Sequence, residues 1–318
     1  MREHRTFAER TRALHSEEPL KKYFLVYEGA ETEAIYFNAV SVMREEAGIN
    51  PLIELVPIAR SYSEEGWSNP RKILNRVIEN LEEGKTQLLT YESLLNRFMD
   101  YFHETGILIP NHISKRNMWK IMCMICDEKL QKALDSVVED VDMAVSEISE
   151  ELMEKYGLVY VVPQLSELVK KNSFTYEEGF DKICLIVDRD RESFVSSSEN
   201  NQYEYVVNTC AEKGFGLYIS NPCFEFWLLL HFDEVFELDK EKLLNNPKMK
   251  GKRRYAEQEL RRIWPGFEKS SYHAENLIER IDKAIENEKK FCEELYELER
   301  QIGSNVGLLI EDMRKREM

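Results

Sequence analysis

The sequence predicts an α/β fold, a parallel sheet flanked by helices, with a large and mainly helical insertion. Short apolar runs rich in β-branched residues, typical of buried strands, alternate with segments of helical spacing near the start and in the second half of the chain. Residues 85–172 instead repeat apolar residues mostly at spacings of three and four. We therefore expect a discontinuous α/β domain, formed by 1–84 and 173–318, and a helical insertion at 85–172.

The individual elements follow from local patterns. Strands are predicted at 22–27, 52–59, 182–188 and 214–220, with a further short strand at 158–163. Helices are predicted after Thr32, at 69–84, near 201–213, within 221–232, from about 271 to 300, and at the C-terminus. Pro57 indicates that the second strand is an edge strand or ends there, because proline cannot donate to a ladder.

Bulk composition limits the class of protein. The 318 residues carry a net charge of −16, which argues against a generally adhesive nucleic-acid binder but leaves room for a local basic path. No apolar run approaches the roughly 20 residues that span a bilayer, and no signal peptide is visible. Six scattered cysteines suit reduced thiols. We expect a cytoplasmic protein that does not associate with membranes.

Acidic residues follow several of the predicted strands. In "ICLIVDRDRE" the run 183–187 breaks into Asp188, Asp190 and Glu192, while Glu28 follows the strand at 22–27 and Glu225 lies in "SNPCFE". The carboxyl ends of parallel strands share one sheet edge, so these side chains can converge. A single Asp-x-Asp most often only caps a turn. Taken together, the acids favour a site for Mg²⁺ or Mn²⁺, with Glu28 as a candidate general base or acid.

One stretch is strongly basic. Residues 248–262, "KMKGKRRYAEQELRR", hold seven Lys or Arg against two Glu. Lys250, Lys252, Arg253 and Arg254 are candidates for phosphate contact in nucleic acid. A solvated loop and helix face is the alternative.

Other motifs give weaker indications of function. Cys123 and Cys126 form a single CxxC inside an apolar helical pattern, which favours two buried helix cysteines over zinc. His231 follows "FWLLL" and is interpreted as a helix-end residue rather than a ligand. No GxGxxG or Walker A sequence occurs, so the chain has no nucleotide-hydrolysing loop of that kind.

Three stretches together resemble the RloB family, which includes AbiLii-type abortive-infection proteins: "FLVYEGAETEAIYF", "LIVDRDRE" and "SNPCFEFWLLLHF". The resemblance covers roughly 20–80 and 175–310 and implies a Toprim-like nuclease domain. It implies that Glu28 is the catalytic glutamate, that Asp188 and Asp190 are metal ligands, and that Glu192 is a further acid. Asn221, Pro222 and Glu225 match the family's own motif.

The resemblance also implies a function. Relatives act as nucleases in prokaryotic anti-phage defence beside an ABC-type or AAA-type ATPase, which would fit the lack of a Walker A sequence here. We expect a Mg²⁺-dependent endonuclease, with RNA such as tRNA slightly favoured over DNA. The alternatives are a Toprim nucleotidyl or strand transferase, or a non-catalytic nucleic-acid-binding or assembly subunit.

The insertion departs from the relatives. Its acidic stretch 135–154 would repel nucleic acid, so we expect 85–172 to contact a second copy of the chain or the ATPase, or to sense a trigger. A stabilising decoration of the core is the alternative.

Overall fold

A computed structural model describes most of the chain, in two compact units. The described residues are 2–3, 20–29, 31–59, 69–86, 89–104, 115–156, 176–190, 194, 201–249, 251 and 253–315. The smaller unit comprises 1–8, 58–66 and 76–176, and the larger comprises 9–57, 67–75 and 177–318. The helical insertion at 85–172 within a discontinuous α/β domain stays a prediction.

The sheet is mixed, with a parallel centre. Its strands are β1 (Arg2–Glu3), β2 (Lys21–Tyr27), β3 (Ile53–Ala59), β4 (Lys182–Asp188), β5 (Gly216–Asn221) and β6 (Gly303–Ser304). They are hydrogen-bonded in the order β1-β3-β2-β4-β5-β6. β2 and β5 both pair parallel with β4, and β6 pairs antiparallel with β5. Arg2 and Glu3 pair antiparallel with Ala59 and Ile58.

The two central strands are apolar because both of their faces are covered. Every residue from Ile183 to Val187 is buried, and so is every residue from Tyr23 to Tyr27. Such continuous burial belongs to parallel strands packed between layers of helices. The α/β class predicted from the sequence is confirmed.

Helices make up most of the rest. The described α-helices are α1 (Thr32–Val42), α2 (Pro70–Thr86), α3 (Tyr91–Glu104), α4 (Lys115–Met124), α5 (Val141–Tyr156), α6 (Gln202–Lys213), α7 (Phe224–Leu229), α8 (Lys240–Asn245), α9 (Tyr255–Ile263), α10 (Glu275–Ile278), α11 (Ile281–Glu288), α12 (Leu295–Leu298) and α13 (Val306–Arg314). A π-helical turn covers Ile125–Leu130 and a 3-10 helix covers Asp233–Glu237. No helix among these residues is long and apolar enough to cross a membrane.

The smaller unit has its own apolar core. Helices α3, α4 and α5 contribute fully buried side chains, among them Leu94, Phe98, Met122 and Ile148. The three-and-four spacing of apolar residues in the sequence corresponds to these buried faces. The strand predicted at 158–163 lies outside the described residues.

One predicted helix is wrong. The segment 271–300 forms three short helices, α10, α11 and α12, instead of one. Arg280 leaves helical geometry at φ −112° and ψ 12°. Further on, Cys292 bridges to the strand end, because its N–H donates to Ile302 O at 3.2 Å and its carbonyl accepts from Ser304 N–H at 3.0 Å. That pairing ends the helix, and helical periodicity cannot reveal it.

Candidate functional site

Glu28 and Asp188 meet at the carboxyl edge of the sheet. Tyr27 pairs with Ile186 across the parallel strands β2 and β4, so the residues that follow both strands lie at the same edge. The Glu28 N–H donates to Ile186 O at 3.0 Å. The Asp188 N–H in turn donates to Glu28 Oε2 at 2.8 Å. The backbone therefore fixes the Glu28 carboxylate beside Asp188.

A third strand joins this edge. Asp188 pairs with Ser220 of β5, and the Arg189 N–H donates to Ser220 O at 2.9 Å. The Asp188 side chain spans to the start of α7, where its Oδ1 accepts from the Phe224 N–H at 2.8 Å. Asp188 thus links the ends of the neighbouring strands.

Four acids meet at this point: Glu28, Glu33 and Glu225 are buried, and Asp188 is half-buried. Glu28, Glu33, Asp188 and Glu225 act on one another electrostatically, and Glu33 and Glu225 are almost fully buried. Burial, and then the negative charges of Glu33, Glu28 and Glu225, raise the pKa of Asp188 well above its usual range. Burial also raises the pKa of Glu33, with a further contribution from Glu225. The cluster therefore favours a cation.

Gly29 makes room for one of these acids. A Cβ atom built at residue 29 would overlap the Glu33 carboxylate. Glu33 lies in the first turn of α1, so the glycine allows the chain to pass close to that side chain between strand and helix. The glycine of "EGAETE" is thereby explained by packing against Glu33.

Lys269 brings a positive charge to the cluster. Its Nζ is 2.7 Å from Glu225 Oε1. Although burial acts to raise the pKa of Glu225, the Lys269 ammonium holds it below its usual value. The loop carrying Lys269 is attached to the first turn of α1: the Thr32 hydroxyl donates to Lys269 O at 3.3 Å, and the Tyr272 hydroxyl donates to Thr32 O at 2.6 Å.

Two of these acids, Asp188 and Glu225, line a cleft of about 490 Å³. Its walls include Asp188, Asp190 and Glu225 as well as the basic residues Arg254 and Lys269. Arg254 Nη2 lies 3.8 Å from Asp190 Oδ2. A cleft with carboxylates and cations on its walls suits an anionic ligand bound next to a metal ion.

The predicted site residues divide into three groups. Glu28, Asp188, Asp190, Glu225 and Arg254 come together at this edge or in the cleft, as does Pro222. Two predicted residues, Asn221 and Arg253, are not among the residues that line the cleft. Glu192, Lys250 and Lys252 are outside the described residues.

Asn221 and Arg253 have other contacts. Asn221 is fully buried and its Nδ2 donates to Leu298 O at 2.6 Å and to Gln301 O at 2.9 Å, which anchors the segment before β6. The Arg253 side chain is 53% exposed, lies 3.6 Å from Glu257 and is not among the residues that line the cleft.

Sequence reasoning missed Glu33 and Lys269. The sequence contained a signal for Glu33, since this residue stands five positions after Glu28 in the same acidic motif, in the first turn of a helix. Lys269 had none, because it belongs to an irregular loop and reaches Glu225 only through the fold.

The lesser candidates are structural in character. His231 is fully buried at the end of the α7 segment, where Tyr36 Oη is 3.1 Å from its Nε2, and burial lowers the pKa of His231 to about 3. Cys126 is also fully buried, which raises the pKa of its thiol to about 12. Neither residue is suited to ligand binding.

The acids fit a metal ion that keeps much of its water. Within the described parts of the chain, no group of three or more His, Cys, Asp or Glu side chains is placed to hold a metal ion by itself. Mg²⁺ does not require one, because it usually binds one or two carboxylates together with water and substrate phosphate oxygens. The buried excess of carboxylates around Asp188 matches that mode of binding.

The sequence matches a known protein family. A family model described as "RloB-like protein" matches residues 23–313, nearly the whole chain. No curated protein and no solved structure matches. The matched region includes every residue named at the acidic edge and in the cleft. The chain belongs to the RloB-like family.

Proposed function

We propose that this protein is a divalent-metal-dependent phosphodiesterase, an endonuclease of prokaryotic anti-phage defence with a Toprim-like catalytic centre. The observation that carries the proposal is the meeting of Glu28 and Asp188 at the carboxyl ends of adjacent parallel strands, within a buried acidic cluster. Burying several carboxylates together is unfavourable unless a cation or protons offset their repulsion. Membership of the RloB-like family also supports a role in defence.

The acids would hold the metal. Glu28, Asp188 and Asp190 are the proposed ligands for Mg²⁺ or Mn²⁺, and Glu192 is a proposed further acid. When bound, such an ion polarises a phosphodiester and lowers the pKa of a coordinated water. Glu28 is the proposed general base or acid, since the Asp188 N–H donates to its carboxylate and orients it.

The basic residues of the cleft would hold the substrate backbone. Arg254 and Lys269 lie on the cleft wall beside the acids and can contact phosphate oxygens. These contacts do not distinguish RNA from DNA, so our preference for RNA such as tRNA rests on the family resemblance. Control by a separate ABC-type or AAA-type ATPase is proposed on the same basis. Assembly through 85–172 is proposed instead from its acidic stretch 135–154, which would repel nucleic acid and suits contact with a protein.

The test is a cleavage assay with purified protein. Total tRNA and supercoiled plasmid are incubated with EDTA, Mg²⁺ or Mn²⁺, and wild type is compared with Asp188→Asn. We expect metal-dependent cleavage by wild type alone. Binding of either nucleic acid without cleavage, in every metal and with any activating ATPase supplied, would instead support a non-catalytic subunit.

A further inference from the structure

Lys269 and Arg254, the two basic residues described above on the cleft wall, each lie next to an acid. Lys269 Nζ is 2.7 Å from Glu225 Oε1, and Arg254 Nη2 is 3.8 Å from Asp190 Oδ2. Arg189 also reaches the cleft, but it is buried, lies over the Tyr203 ring at 5.1 Å and donates to Phe194 O at 2.9 Å. Its charge is therefore held inside the protein.

The acidic charge exceeds this cationic charge. Six acids lie at the edge or in the cleft, namely Glu28, Glu33, Asp188, Asp190, Glu225 and Glu257. Lys269 and Arg254 offset part of the charge, and they do so from the side on which a substrate would enter. Once a divalent cation is bound among the acids, the attraction between these acids and the two basic residues falls.

Lys269 combines a backbone held by a hydrogen bond with an exposed side chain. Its backbone is fixed by the Thr32 hydroxyl, and the same loop is held by Tyr272. Its side chain is 54% exposed, whereas that of Glu225 is 4% exposed. The ammonium can therefore swing from the buried Glu225 toward the cleft while the Cα atom stays in position.

We propose that Lys269, supported by Arg254, is an internal counter-cation that offsets part of the negative charge of the acidic site before metal binding and turns to a substrate phosphate afterwards. The inference rests on the proposed function and adds a mechanism of control to it. The partner exchange makes metal and phosphate binding cooperative. Linkage requires that coupling to be reciprocal, so nucleic acid must tighten metal binding by the same factor.

The first measurement concerns the metal alone. Mn²⁺ binding is followed by electron paramagnetic resonance in wild type and in Lys269→Met, which keeps the chain length without the charge. Removing the competing ammonium should tighten Mn²⁺ binding by about 5–10-fold, within the usual range of coupling between sites. Lys269→Arg should behave like wild type, and so should Lys283→Met, whose lysine pairs with Asp233 on the surface.

The second measurement concerns the phosphate. Binding of a fluorescent single-stranded 15-nucleotide RNA is measured by anisotropy with EDTA and with Ca²⁺, and gels verify that the RNA stays intact. In wild type, Ca²⁺ should tighten binding. In Lys269→Met that gain should shrink by about 10-fold, while binding in EDTA should change little.

Two results would overturn the proposal. The first is unchanged Mn²⁺ affinity in Lys269→Met, which would leave the ion pair purely structural. The second is an equal loss of RNA affinity with and without Ca²⁺, which would make Lys269 an ordinary phosphate contact. If Lys269→Met folds poorly because Glu225 is left unpaired, the double variant Lys269→Met with Glu225→Gln restores a neutral pair and is compared with Glu225→Gln alone, so that both proteins lack the Glu225 charge. Absence of cleavage would count against the proposed nuclease activity. The Mn²⁺ and RNA binding measurements do not depend on cleavage, so they would still show whether Lys269 exchanges Glu225 for a phosphate.

Discussion

Glu28 accepts a hydrogen bond from the backbone N–H of Asp188, at 2.8 Å, across two neighbouring parallel strands. The strand pairing therefore positions one acid, and the backbone of the second acid orients it. Residues separated by 160 positions in the chain become one unit of the site, with no irregular loop needed to bring them together. Such placement on strand ends is more rigid than placement on loops and suits a site that must hold charge accurately.

Glu28→Gln should abolish cleavage with little effect on folding. The amide oxygen can still accept from the Asp188 N–H, so the edge of the sheet is preserved while the charge is lost. We expect activity to fall at least about 100-fold, the usual contribution of a general base or acid. Single-turnover assays and thermal unfolding measure the two effects. A variant that unfolds early would indicate a structural role for the charge, and one with full activity would exclude Glu28 from the chemistry.

Asp188→Asn should abolish stabilisation by the metal ion without lowering the stability of the metal-free protein. The pKa of Asp188 is raised, so without metal the folded state holds the proton more tightly and stability falls as the pH rises through that pKa. Asparagine removes this loss and keeps an oxygen for the Phe224 N–H. Saturating Mg²⁺ should stabilise wild type, by about 2.7 kcal/mol at one hundred times the dissociation constant. Thermal unfolding with and without EDTA should show no such gain in the variant.

The matched control for that experiment is Asp233→Asn. Asp233 lies on the surface beside Lys283 and far from the predicted ligands in sequence. It should keep the full stabilisation by Mg²⁺. An equal loss of the metal effect in both variants would mean that the ion binds nonspecifically to an acidic protein.

The sequence predicted the strands of the edge better than the contents of the cleft. Glu28 and Asp188 could be predicted because continuous apolar runs identify buried parallel strands, and parallel strands bring their carboxyl ends together. Lys269 could not, because its contact with Thr32 spans 237 positions and comes from a loop without periodicity. Asn221 was grouped with the site from its motif, although its amide binds carbonyls of the segment before β6. Local patterns contain no information about such distant loop contacts.

Arg254 and Arg253 should differ although they are neighbours. Arg254 lines the cleft, whereas Arg253 is more exposed and lies beside Glu257. Arg254→Ala should weaken nucleic-acid binding and reduce the log-log salt slope by about 0.7–0.9, the value for one lost phosphate contact. Arg253→Ala is the matched control and should change the slope much less. Equal slopes for both variants would move the phosphate path away from the cleft.

Glu288 provides a pH test remote from the site. It is fully buried, its Oε1 accepts from the Gly307 N–H at 3.1 Å, and burial raises its pKa to about 8. A raised acid pKa means that the folded state binds the extra proton, so stability should fall between about pH 4.5 and pH 8. Glu288→Gln should remove this slope and stabilise the protein at pH 9 by a few kcal/mol at most, on the order set by 1.36 kcal/mol per pKa unit.

Unfolding curves at several pH values measure that effect, with Glu286→Gln as the control. The Glu286 side chain is 77% exposed on the same helix, so its replacement should leave the slope intact. An unchanged slope in Glu288→Gln would assign the pH dependence to other groups.

Phe98→Ala should report on whether the smaller unit unfolds separately. Phe98 is fully buried in the core shared by α3, α4 and α5, so truncation to alanine should cost about 3–5 kcal/mol through lost burial and a cavity. The acidic edge belongs entirely to the larger unit, which has its own core around β2, β4 and α7. Calorimetry should therefore show one transition moved to lower temperature and a second, Mg²⁺-sensitive transition left in place. Leu228→Ala, in the core of the larger unit, should produce the opposite pattern. A single transition that shifts as a whole in both variants would mean that the two units unfold cooperatively, and the proposed separation of a catalytic domain from an accessory helical one would fail.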